Sequence, residues 1–255
     1  MVVIFDGRKL AGKLEYQLKV KVQEFKNKTG ITPKLVSILV GDDPGSVMYI
    51  RMKQKKAEGV GIEFIKKEFP EDVKPEELIS CIRQLNKDNF VHGIMIQLPI
   101  QIKNSKFKSP LQGKQNCKSK IKSLRDIQDI LVNTIDPKKD VDCLTQENLE
   151  LLKTGKPRFL PATVKGIILI IDKYTGGVKI DTPLRCVIVG ASGMVGKPLC
   201  DYLKSQSVKV TGCDEFTKDI SIYTKQADIL ISATGVPGLI KKEMVKLGAV
   251  VIDVG

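Results

Sequence analysis

Histidine is almost missing from this chain of 255 residues: His92 stands alone, so no His-based triad or multi-histidine metal site can be assembled within one chain. His92 opens an apolar segment and reads as structural. The six cysteines, Cys81, Cys117, Cys143, Cys186, Cys200 and Cys213, contain no C-x-x-C pair, and several sit in or beside apolar runs as small hydrophobes do. Neither a disulfide framework nor a zinc site is indicated, and no metal is expected. No run is long and apolar enough to span a bilayer, and Met1 to Gly7 lacks the basic flank and long apolar stretch of a signal peptide. The reading is a cytoplasmic protein with no membrane partner. Acidic residues are in deficit, 29 against 42 Lys and Arg, for a net charge of +13. The excess is uneven, because residues 101–126 hold eight basic residues against Asp126 alone. That stretch has one aromatic, Phe107, and no recognised module, so nucleic acid is not an expected partner.

What is present is a core. A hydrophobic content of 42% suits two α/β domains, placed at 1–147 and 148–255, with the basic insertion at about 101–126 in the first. Leu10, Leu14, Leu18, Val22 and Phe25 share one face of an opening helix that stops at Gly30 and would pack on a sheet. Strands at Lys34–Gly41, Ile62–Phe69 and Val91–Leu98 alternate with helices at Pro44–Glu58 and Pro75–Leu85, a β-α-β-α-β unit. A short helix over Arg125–Val132 and a hydrophobic one over Thr163–Tyr174 lead to strands near 186–190, 208–213, 228–232 and 249–254. The fold class is α/β, with an N-terminal α/β domain, a Rossmann-like dinucleotide-binding domain, and a cleft between them as the expected site.

The most informative segment runs from Arg185 to Leu199. Four apolar residues enter Gly190, and Gly193 and Gly196 follow before a helix whose N-terminus attracts pyrophosphate. The spacing is G-x-x-G-x-x-G, which also fits an ordinary strand-turn-helix packed through small residues. Tyr49 and Lys53 are four apart on the helix after Gly41-Asp42-Asp43-Pro44 and project from one face. Spacing alone fits a solvated face as well as a site. A lysine works as an acid or base where a desolvated cleft lowers its pKa toward neutrality. Gln97 puts an amide at a strand's C-terminal end, where open α/β sheets bind ligands. Asp140-Val141-Asp142, if extended, sets two carboxylates on one side, either to grip an amidine-like edge or to stabilise a turn.

In order along the chain, these segments resemble the methylenetetrahydrofolate dehydrogenase/methenyltetrahydrofolate cyclohydrolase family. The similarity rests on Asp6-Gly7, Val40-Gly41-Asp42-Asp43-Pro44 through Tyr49-x-x-x-Lys53 to Gly61-Ile62, and Val91-His92-Gly93 to Gln97-Leu98-Pro99. It continues through Lys139-Asp140-Val141-Asp142, Phe159-x-Pro161-x-Thr163, Val189-Gly190-x-Ser192-x-x-Val195-Gly196-x-Pro198 and Ala233-Thr234-Gly235. The resemblance implies a multifunctional oxidoreductase and hydrolase of one-carbon metabolism. Lys53 is then the catalytic lysine, Gln97 orients it, Tyr49 borders the folate with Leu98 and Pro99, and Asp142 holds the pterin's amino-pyrimidine edge. Thr163, Gly190, Ala191, Ser192, Gly193, Ala233, Thr234 and Gly235 match positions lining an NAD or NADP site. The resemblance also implies a homodimer, for which the edge strand at 208–213 could serve.

The departures from the family carry expectations of their own. Ala191 stands where NADP-using members commonly have arginine, and Asp214-Glu215 where they often have His-Ser. Carboxylates there repel a 2′-phosphate and suit a free 2′-hydroxyl, which favours NAD. Cys143 replaces a glycine and Val164 a proline, suggesting altered backbone at both. The basic insertion reads either as a disordered segment or as an attractor for the polyglutamate tail of folates. The family continues past Val250–Gly255 into a Pro-Gly-rich segment and a helix. Alternatives to the bifunctional enzyme are therefore a dehydrogenase-only enzyme and a catalytically silent folate or dinucleotide binder.

Overall fold

Apolar runs and glycine turns place two parallel sheets in this chain. The structure, a computed structural model, describes residues 3–103, 123–175, 184–206 and 208–254. Two compact units divide it, Met1–Val141 and Asp142–Gly255, the change falling slightly ahead of the 147/148 boundary read from the sequence. Most of the basic insertion, residues 104–122, lies outside the described residues, and so does any polyglutamate contact it makes.

In the first unit α1 (Gly7–Thr29), β1 (Lys34–Val40), α2 (Pro44–Gly59), β2 (Glu63–Phe69), α3 (Pro75–Lys87), β3 (Gly93–Ile96) and α4 (Leu124–Val132) follow in turn. The sheet order is β2-β1-β3, all parallel. β1 is central, which explains why its run is apolar on both faces save for Ser37. Val36 to Val40 are all buried, and fully burying a side chain such as Ile38 or Leu39 contributes about 1.5–3 kcal/mol. β2 has one such neighbour and is largely exposed. β3 is also outermost yet wholly buried, because residues 139–141 lie along it: Ile94 bridges Asp140, and the Ile94 N–H donates to the Lys139 carbonyl at 2.7 Å.

Asp6 caps α1 by accepting from the Lys9 N–H at 3.0 Å, and Gly30, at φ 70°, ends it as the sequence suggests. The apolar stripe of α1 does not meet a sheet as expected. Of its five residues only Val22 is buried, while Leu14, Leu18 and Phe25 are exposed. The helix leans instead on α2 and the turn after it, where Val22 meets Gly61 and Glu15 pairs with Lys56.

The second unit contains α5 (Gln146–Lys153), α6 (Ala162–Thr175), β4 (Arg185–Val189), α7 (Gly196–Ser205), β5 (Lys209–Cys213), α8 (Ser221–Thr224), β6 (Ile229–Ser232) and β7 (Val250–Asp253). Its parallel order is β5-β4-β6-β7. Alternation splits the core: Cys186, Ile188, Ile229 and Ile231 pack with α6 and α7, whereas Val187, Val189 and Leu230 pack with Leu239, Ile240 and Val245. No helix among the described residues is long and apolar enough to cross a membrane.

Candidate active site

The first unit offers side chains at the carboxyl ends of its strands. Gly41, at φ 83°, turns the chain out of β1 and is tied to β2 by its N–H on the Phe69 carbonyl, 2.9 Å away. Asp43 then caps α2, accepting from the Ser46 N–H at 2.7 Å, with Pro44 fitting the first helical turn. Those Ser46 hydrogen bonds hold the Asp43 carboxyl below the usual carboxylate range. One turn on, the Lys53 Nζ lies 4.8 Å from the centroid of the Tyr49 ring, a cation–π distance. Tyr49 is half exposed, at 50%, and Lys53 is partly buried. Gln97 follows β3; its N–H reaches the Ile38 carbonyl at 2.9 Å and its Nε2 the Leu98 carbonyl at 2.8 Å. The Leu98–Pro99 peptide is cis. Gln97 and the start of α2 thus rise from the same ends of two adjacent strands.

Two sequence expectations need correction. His92 is exposed rather than in a buried strand, although its role is structural, its Nδ1 accepting from the Lys34 N–H at 3.1 Å. Residues 140–142 are not extended. Asp140 is buried at 1% exposure on the bridge to Ile94, the chain then turns, and Asp142 is part-exposed, so the two carboxylates do not share a face. This approach is fixed by groups that sequence reasoning missed. The Lys139 Nζ donates to the carbonyls of Leu85, Asn86 and Asp88, at 2.9, 2.9 and 2.7 Å, and so closes the end of α3. Asn86 binds the Thr134 carbonyl and the Asp136 N–H. Cys143, buried, adopts φ 58°, a left-handed backbone of the kind that favours glycine.

The second unit offers backbone. Gly190 has φ 90°, and its N–H and that of Ala191 both donate to the Cys213 carbonyl, at 2.9 and 3.0 Å. A Cβ on Gly190 would come within 2.8 Å of the Ala233 carbonyl carbon and 3.1 Å of the Thr234 methyl. One on Gly196 would approach the Gly190 carbonyl carbon to 2.8 Å. The first turn, the start of α7 and Ala233-Thr234 are therefore locked together through missing side chains, leaving Ser192 and Gly193 exposed on top. This cradle fits a dinucleotide pyrophosphate lying at the start of a ten-residue helix. Ala191 lies over Gly212, where a Cβ would be 2.7 Å from the Ala191 Cβ. Asp214 follows β5, its Oδ1 accepting from the Phe216 N–H and the Thr217 hydroxyl; Glu215 is exposed. Gly235 follows at φ 66°, and exposed Thr163 stands in the first turn of α6. Val164, in a position read as altered backbone, is a fully buried helical residue.

Burial pushes the Cys186 thiol up to about 12 and raises those of Cys200 and Cys213, so these cysteines are inert packing groups. Among the described residues no group of three or more His, Cys, Asp or Glu is arranged to hold a metal ion.

Comparison with known proteins decides the family. Residues 5–142 match the catalytic domain of tetrahydrofolate dehydrogenase/cyclohydrolase, and residues 161–255 its NAD(P)-binding domain. The chain belongs to the tetrahydrofolate dehydrogenase/cyclohydrolase family. Among relatives in this family, the bifunctional protein FolD of Methanococcoides burtonii is 40% identical over 252 residues, 99% of this chain and 79% of its own length. The crystal structure of the bifunctional enzyme FolD from Campylobacter jejuni aligns at a TM-score of 0.82 and 35% identity, covering 98% of this chain and 80% of that one. A methylenetetrahydrofolate dehydrogenase from the silkworm Bombyx mori aligns at 0.84 and 32%, covering 100% and 83%.

Proposed function

We propose that this protein oxidises 5,10-methylenetetrahydrofolate to the methenyl form with NAD(P), and then hydrolyses the methenyl form to 10-formyltetrahydrofolate. The observation that carries the reading is the Tyr49–Lys53 pair, with Nζ 4.8 Å over the ring, rising from the same strand ends as Gln97 in a chain of this family. Tyr49, Leu98, Pro99 and Gln97 border the folate, and Asp142 accepts two parallel hydrogen bonds from the amino-pyrimidine edge of the pterin. A bound nicotinamide supplies the hydride acceptor. In the hydrolytic step a water oxygen bonds to the methenyl carbon while Lys53 takes and returns its proton, Gln97 holding the lysine in place; the C–N bond then opens and one proton is released.

The fit of Gly190, Gly193 and Gly196 to a pyrophosphate supports the dinucleotide site, with Ser192, Thr163, Ala233, Thr234 and Gly235 around it. Ala191 supplies no guanidinium for a 2′-phosphate, and Asp214 and Glu215 set carboxylates at the end of β5, which supports NAD as the preferred cofactor. Outermost in its sheet, β5 suits pairing with a second copy as a homodimer in the cytoplasm. The deciding experiment is an absorbance time course with methylenetetrahydrofolate and either NAD or NADP, beside a trace of added methenyl substrate. Cofactor reduction and accelerated methenyl decay that Lys53→Ala abolishes is the expected result. Binding of folate with silence in both traces would replace this reading with a non-catalytic binder.

A further inference from the structure

Buried polar atoms are nearly always partnered, and an orphaned amide oxygen is a cost that a fold keeps only for a reason. Among the described residues three buried side-chain atoms have no partner: Ser37 Oγ, Gln97 Oε1 and Gln101 Oε1. Ser37 is wholly buried in the middle of β1, and its hydroxyl is a rotor that adapts to what surrounds it. The glutamines are different. They stand four apart on either side of Leu98-Pro99-Ile100, and their main-chain N–H groups dock on the Ile38 and Val40 carbonyls, at 2.9 and 3.3 Å, one strand alternation apart near the end of β1.

Gln97 is held in place. The Gln97 amide nitrogen is committed to the Leu98 carbonyl, which fixes its oxygen as the unpaired end. Gln101 lies over Gly41, so closely that a Cβ at position 41 would stand 2.7 Å from the Gln101 Cβ and overlap its amide oxygen. Gly41 opens the turn into α2, the helix that carries Tyr49 and Lys53. Two acceptors without donors therefore stand near the carboxyl ends of neighbouring parallel strands, where open α/β sheets receive ligands, the Gln101 oxygen resting against Gly41. Acceptors of this kind select N–H groups, and the reduced pterin ring carries several.

We propose that Gln101 is a substrate-binding residue whose Oε1, turning outward from Gly41, accepts a hydrogen bond from a ring N–H of bound tetrahydrofolate. This rests on the folate chemistry proposed above. It predicts a separation of stability from binding, because removing an orphaned acceptor relieves the free protein and impairs only the complex.

The test is calorimetric titration of the full chain and of Gln101→Leu with tetrahydrofolate and with NAD, together with thermal melting of both proteins without ligand. The variant is expected to melt at or above the wild type and to bind tetrahydrofolate about fivefold more weakly or worse, with NAD affinity unchanged. Gln101→Met, closer in length, gives the same comparison should the leucine variant fail to fold. Unchanged tetrahydrofolate affinity, or a lower melting temperature accompanying weaker binding, overturns the inference while leaving the proposed function standing. A wild type that binds NAD but no tetrahydrofolate overturns both.

Discussion

The two units solve the same topological problem, a ligand at the carboxyl ends of parallel strands, with opposite materials. In the first, the groups proposed to act are side chains: a phenol, an amine and two amides on Tyr49, Lys53, Gln97 and Gln101. In the second they are gaps, since Gly190, Gly196 and Gly212 work by having no Cβ where a carbonyl or Ala191 stands within 3 Å. Chemistry can be removed from the first without disturbing its shape, whereas in the second shape is the function.

That contrast breaks most visibly with Lys53→Ala, expected to lower methenyl hydrolysis by about 100-fold or more. Dinucleotide affinity, measured by calorimetry, and melting temperature should be unchanged. Gly190→Ala is the counterpart. A methyl forced against the Ala233 carbonyl at a φ of 90° should cost more than about 2 kcal/mol in a denaturant melt and lose dinucleotide binding together with stability. A melt that is unaffected would mean the glycine turn is not under steric control. Restoring a guanidinium and deleting a carboxylate, as Ala191→Arg with Asp214→Ser, should move the NADP-to-NAD ratio of kcat/KM upward by about tenfold or more, one charge-assisted hydrogen bond's worth.

Smaller effects sharpen the comparison at the junction and the sheet. Cys143→Gly should be more stable than Cys143→Ala by about 1 kcal/mol, because both lose the thiol but only glycine is at ease at φ 58°. Asp228 accepts from the Arg185 N–H at 2.9 Å and pairs with Lys246, and these partners lower its pKa in the folded protein below 3.8. The stability it contributes is present above the unfolded value and is lost as pH falls through the lower folded one. Asp228→Asn should therefore be less stable than the wild type at neutrality and converge with it as pH falls below 3.8, which flattens the acid limb of a denaturant-melt stability profile.

Much of this was legible in the chain. Most strands among the described residues follow from apolar or alternating runs, with Gly41, Pro99 and Gly190 as stops, and helix ends from Asp43-Pro44 and Gly30, because each is a local signal read within a few residues. What was hidden depends on distant partners. The spacing of Leu10, Leu14, Leu18 and Phe25 fixes a helix face but not what covers it. Asp140 and Asp142 look equivalent until Ile94 takes one of them into a bridge. Lys139 reads as one surface cation among many, and only the folded chain brings it to three carbonyls more than fifty residues earlier. Gln101 carries no motif; its interest lies in a bond it does not make.

The cover over β3 imposes an order on assembly. As the chain lengthens from its N-terminus, Gly93–Ile96 become available long before Lys139 and Asp140, so the strand can join β1 while its other rim still offers bare N–H and C=O groups to any extended peptide nearby. The whole basic insertion separates the strand from its shield. A chain interrupted within that insertion carries an open, apolar rim, and only arrival of the Lys139 clasp closes that edge of the first sheet.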